Sequence, residues 1–194
     1  MRKTKCEGCG RQTPSFEIVE YGSMEKGYKQ LCRRCFNSET AAAAGLDDFE
    51  HVEFDPIRLK DSEGKFHEFH FRTFLFGTGV ALDAFELRKG VPAGYQFQVI
   101  AAPEEDLLAM LGRLVAKIQR ALVVKHLEDG EHGLQIASAG VVRGLIDWDA
   151  ARGGRVPLLI IDGREISWED FGRCLAAFEG FQFKLEVHDK SEEI

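Results

Sequence analysis

No run of apolar residues in this chain of 194 approaches the roughly 20 that a membrane helix needs. The opening residues, MRKTKCEGCG, contain no apolar segment of the kind a secretory signal carries. Internal repeats and low-complexity linkers are also lacking. These absences lead to the expectation of a cytoplasmic globular protein, in a reducing compartment where cysteines serve as metal ligands or buried thiols rather than disulfides. Residues 1–50 hold no histidine, and spacing assigns no Ser/His/Asp set anywhere along the chain. The glycine-bearing stretches GTG (77–79) and RGGR (152–155) lack the spacing and the Lys-Ser/Thr of a phosphate loop and read as turns. Trp and Tyr are few, two and three against 15 Phe. A phenyl ring has no polar tip, so most of these rings belong in a core or an interface.

What is present is ordinary in total and uneven in placement. Hydrophobic residues make up 44% and charged residues 29%, as in a globular domain, and the length suits one or two domains. The net charge of −7 divides into about +4 over residues 1–35 and −11 over the remainder. An acidic body argues against a general polyanion binder, whose phosphate contacts require clustered Lys and Arg. The basic head leaves a narrower nucleic-acid surface open, built from Arg2, Lys3, Lys5, Arg11, Arg33 and Arg34.

Periodicity divides the chain into a module over 1–45 and an α+β domain over 46–194, the latter in two lobes, 46–102 rich in strand and 103–194 with helix and strand. The run ETAAAAG favours a helix stopped by Gly45. FEHVEFDPIRLK (49–60) and FHEFHFRTFLF (66–76) read as strands joined by the turn DSEGK, with Pro56 marking an edge or bulge. Phe69, Phe71 and Leu75 then share one face, and Glu68, His70 and Arg72 the other. GVALDAFEL fits strand or helix, and YQFQV alternates as a strand. Residues 103–128 read as a long amphipathic helix with Pro103 and three acids in its first turn and Asp129-Gly130 at its end. Its stripe is Leu107, Leu111, Leu114, Ile118 and Leu122. Strands at 141–148 and 156–162 follow, with Asp162-Gly163 as a tight turn. Ser167 reads as the N-cap of WEDFGRCLAAF, and FQFKLEV (181–187) as a closing strand with Phe181, Phe183, Leu185 and Val187 inward. The class is α+β with largely antiparallel pairing.

Four of the five cysteines form two pairs, Cys6-x-x-Cys9 and Cys32-x-x-Cys35. Each pair places two sulfurs along one edge of a tetrahedron, and together they complete the four-thiolate set that Zn2+ favours. Gly10 permits the tight turn after the first pair, while the second pair runs into the predicted helix, where the dipole stabilises thiolate. A redox dithiol needs only one pair and a βαβ setting. Rubredoxin-like iron normally uses two glycine-bearing loops, whereas Arg33-Arg34 fill the second pair here. Free structural thiols are the third alternative. The order knuckle, hairpin, knuckle opening a helix resembles the treble-clef zinc fingers, over residues 1–45 only. That resemblance implies a structural zinc ion held by Cys6, Cys9, Cys32 and Cys35. It chooses no function, since the fold serves DNA-binding, ribosomal, nuclease and purely structural modules alike.

Remaining chemistry-bearing residues are scattered. Cys174 sits on the apolar side of the last predicted helix and reads as a buried small side chain. His67 and His70, three apart on a strand, face opposite sides; His126 and His132 read as surface residues near a helix end; His51 and His188 stand alone. Asp147, Asp149 and Asp162 are the carboxylates a hydrolase could use. The expected function is a non-enzymatic zinc-binding adaptor or regulatory protein with a protein partner, nucleic acid being the lesser option. A hydrolase with structural zinc is the alternative, and a redox or metal-sensing regulator a third.

Overall fold

A computed structural model of the chain describes residues 2–25, 27–131, 133–149 and 152–192. The first strands are short because the chain folds around sulfur rather than around a sheet. Strand β1 (Lys3–Lys5) pairs antiparallel with β2 (Gln12–Pro14), and the loop between them carries Cys6 and Cys9. A second hairpin, β3 (Ile18–Ser23) and β4 (Gly27–Cys32), delivers Cys32 directly to helix α1 (Arg33–Ala44). The alanine run is helical as its propensity predicts, and Gly45 ends it in the left-handed region, its N–H reaching the carbonyls of Ala41 and Ala42.

A four-stranded antiparallel sheet follows in chain order: β5 (Ile57–Lys60), β6 (Phe66–Phe76), β7 (Gly79–Arg88) and β8 (Val91–Ala101). The strand expected over 49–60 is confined to its last four residues. Pro56 lacks an amide donor and immediately precedes β5, which is an edge strand. GVALDAFEL resolves as strand, and β7 is buried on both faces. Its Val80, Leu82 and Ala84 join one core with helix α2 (Leu107–Val123), while Phe85 meets Phe16 of the first module at 6.0 Å.

Helix α2 is shorter at both ends than 103–128. Asp106 acts as its N-cap, accepting from the Leu108 amide, so Pro103 and the acids before it lie outside the helix. The buried stripe runs Met110, Leu114, Ile118 and Leu122, with Leu107 and Leu111 at its margin. Asp129-Gly130 does not stop the helix. Both belong to β9 (Leu127–Gly130), which pairs with β10 (Gly133–Ile136).

The last sheet has the order β11 (Leu145–Trp148), β12 (Pro157–Ile161), β13 (Arg164–Ser167) and leads into α3 (Trp168–Ala176). Asp162 and Gly163 take φ values of 50° and 66°, the twist a two-residue hairpin demands. Ser167 caps α3 by accepting from the Asp170 amide. The closing strand does not form. Residues 181–187 pair with no strand among the described residues, and Phe181, Phe183, Leu185 and Val187 are 71–88% exposed instead of inward. Alternation makes a segment fit for a sheet but does not supply the neighbouring strand. The class is α+β, with every strand pairing among the described residues antiparallel. No helix there is long and apolar enough to cross a membrane.

One fully buried amide fastens α1 to the central sheet. Asn37 donates from Nδ2 to the Thr73 carbonyl at 3.0 Å and accepts from the Leu75 amide at 2.9 Å, beside the stacked rings of Phe36 and Phe74. Asn37→Leu keeps the branched shape but strands both β6 groups without a partner. The expected loss is about 2–3 kcal/mol, read from urea unfolding of the full chain. A change below about 0.5 kcal/mol would show that the contact is dispensable.

Candidate metal centre

The two knuckles converge. All four Sγ atoms of Cys6, Cys9, Cys32 and Cys35 lie within 4.8 Å of one another, with Cys9 and Cys32 3.8 Å apart. A tetrahedral ion with metal–sulfur bonds of about 2.3 Å sets its sulfurs roughly 3.8 Å apart, so the spacing fits zinc. Local sequence explains the convergence. The Cys6 carbonyl accepts from the Gly10 amide, closing a tight turn in which Gly10 takes φ 73°. Gly8 is the closer fit, since a methyl group there would come within 3.0 Å of Cys35 Sγ. Cys32 is the N-cap residue of α1 and Cys35 lies in its first turn. Glu7 ties the first knuckle to the hairpin by accepting from the Gln30 amide.

Amides aim at the sulfurs. Cys6 Sγ accepts from the Cys32 N–H at 3.1 Å. Burial opposes ionisation of Cys6, but the amides of Cys32, Cys9 and Gly8 outweigh it and push the thiol down to about 6. Burial first, then the crowding of neighbouring thiols, pushes Cys35 up; burial is also the largest cause of the upward shift at Cys32. The backbone thus readies one thiolate, and gathering four calls for a cation.

Three of the six basic residues assigned to nucleic acid share one cleft. Arg11, Arg33 and Arg34 line a cleft between the module and the central sheet, and Arg2, Lys3 and Lys5 lie outside it. Arg33 is half-buried, within 3.7 Å of Glu17 and over the Phe74 ring. Of the three aspartates, Asp162 stands apart from Asp147. Asp147 is exposed on β11, and Asp149 is buried and accepts from the Arg152 amide. Asp162 spends one carboxylate oxygen on the amides of His126 and Leu127. Asp147 pairs with Leu158, four residues along the ladder from Asp162, or roughly 13 Å. Cys174 is buried and donates to the Leu134 carbonyl. His126 is not a surface residue: it is buried, with Nδ1 2.9 Å from the Val141 carbonyl. His132 lies outside the described residues.

One cluster escaped the sequence reading. His67 is buried between two carboxylates, with Nε2 3.0 Å from Asp61 Oδ2 and Nδ1 2.8 Å from Glu86 Oε1. The Tyr95 ring packs edge-on against it, and Lys125 lies 3.4 Å from Asp61. Burial works against the Asp61 charge, but His67, the Lys65 and Glu63 amides and Lys125 together hold its carboxyl far below the usual range. A signal was available: His67 has the same parity on β6 as Phe69, Phe71 and Leu75, and an inward histidine needs partners.

Three family models match the chain, each a domain of unknown function: DUF7685 over residues 5–47, DUF7686 over 50–123 and DUF7713 over 126–192. No curated protein and no solved structure matches it.

Proposed function

We propose that the chain is a non-enzymatic adaptor whose first module is a treble-clef finger built on a structural zinc ion, and whose partner is a protein. The observation that carries the reading is the exposed segment 181–187. It has no partner strand among the described residues, and its four alternate apolar side chains face water. Burying each would be worth about 1.5–3 kcal/mol. Its far end is not loose, because Lys117 donates to the carbonyls of Lys190 and Glu192. A segment held at both ends, with strand chemistry and open backbone groups, suits a partner that offers a free sheet edge. The separation of Asp162 from Asp147 speaks against the hydrolase alternative. A cytoplasmic, reducing setting agrees with thiols kept available for metal.

The test compares intact protein with the Phe181→Ser/Phe183→Ser/Leu185→Ser variant in pull-downs from the native cell. The reading expects a stoichiometric protein partner that the variant loses while keeping its zinc content and melting temperature. An identical set of captured proteins from both would remove this segment as the docking element.

A further inference from the structure

The cleft between the cysteine module and the central sheet has about 320 Å³ of space and four guanidinium groups around it. Arg11, Arg33 and Arg34 come from the module and Arg72 from β6, so neither half makes the site alone. Two of the four are neutralised. Arg72 donates from Nε and Nη2 to Asp83 Oδ2 at 3.1 and 2.7 Å, and Arg33 is ion-paired with Glu17. Arg11 and Arg34 are exposed and meet no carboxylate within ion-pair distance among the described residues. Glu17 and Glu53 also line the space, which leaves an excess of positive charge there.

Hydrogen-bonding capacity is left over at the same place. Thr13 lines the cleft and is 9% exposed, yet its Oγ1 has no partner; Arg33 Nε likewise has no hydrogen bond. Buried polar atoms are rarely left so without a ligand or water. The planar fork of arginine matches phosphate oxygens, and several forks around one volume form a phosphate site rather than a diffuse surface. Phe54 and Phe71 supply an apolar wall to the same space. Its volume falls at the lower end of small-molecule sites. We propose that this cleft binds a phosphate-bearing small molecule, the phosphate on Arg11, Arg34 and Thr13 and the organic part against Phe54 and Phe71.

Calorimetric titration of zinc-loaded full-length protein with inorganic phosphate and with AMP tests this. The expected result is one-to-one saturable binding, tighter for AMP and weakening as salt rises. The Arg11→Gln/Arg34→Gln variant, which removes two exposed groups without an ion pair, should bind AMP at least tenfold more weakly with an unchanged melting temperature. Arg152→Gln/Arg173→Gln, away from the cleft, should bind as the parent does. No saturable binding at millimolar concentrations, or equal binding by the cleft variant, would overturn the assignment. Tighter binding of a dodecathymidylate strand, lost in the same variant, would overturn it in favour of nucleic acid. The outcome is independent of segment 181–187, so the adaptor reading stands or falls separately.

Discussion

Stripping the metal with a strong chelator, or replacing Cys32 by Ser, is expected to unfold the first module and to weaken the rest of the chain with it. The module's own core is small: Cys6, Leu31, Cys32 and Phe36 are its buried members. A piece of about 45 residues buries too little apolar surface to fold alone, whereas structural zinc contributes on the order of 10 kcal/mol of apparent binding free energy. Cys32 is the residue to replace because it does two things. It belongs to the four-sulfur cluster and is also the N-cap of α1, and its own amide donates to Cys6 Sγ. Hydrogen exchange should show lost protection across β3, β4 and α1 in Cys32→Ser. The melting temperature should also fall, because α1 carries Asn37 and Phe36 onto β6. Cys174→Ser, remote from the cluster, should retain one zinc per chain by elemental analysis. Native exchange protection and an unchanged melting temperature in metal-free protein would sink the metal-centre reading.

The parts legible in the sequence were those set by local chemistry. Cys-x-x-Cys brings two sulfurs together by itself, Ala41–Ala44 with Gly45 fixes a helix end, and Asp162-Gly163 and Ser167 fix a turn and a cap. Errors fell where a distant neighbour decides. Asp106 captured the start of α2 ahead of Pro103 because its side chain reaches the Leu108 amide. Residues 181–187 have a strand's pattern without a strand beside them. Arg72 could not be assigned to the cleft because register on β6, not spacing, brings it to Arg33. The His67 cluster is of the same kind. Asp61 lies six residues away across a hairpin and Glu86 nineteen residues away on another strand, a separation that no motif encodes.

That cluster yields the second large effect: Asp61→Asn should cost about 3–5 kcal/mol at pH 7, the scale for removing one member of a buried charged network. Asp61 has almost no exposed side-chain surface, and its two oxygens serve four groups: the Glu63 and Lys65 amides, His67 and Lys125. Both ring nitrogens of His67 face carboxylates, a geometry that the imidazolium satisfies twice and the neutral ring once. An amide at position 61 keeps the shape but withdraws the charge from His67 and Lys125. The pH dependence separates charge from shape. The Asp61 carboxyl titrates lower in the folded chain than the roughly 3.9 of an unfolded one, so its contribution is complete above about pH 4. It is lost as pH falls below that value toward the depressed folded pKa, because the unfolded state takes up the proton first. The difference between parent and Asp61→Asn in urea unfolding should therefore narrow as the pH falls below about 4. Acid also weakens thiolate–metal bonds, but that loss is common to both proteins and cancels in the difference. A double-mutant cycle with His67→Gln should return a coupling of about 1–3 kcal/mol at pH 7. A difference that stays constant down to pH 3, or a coupling near zero, would mean that Asp61 acts through its turn amides alone.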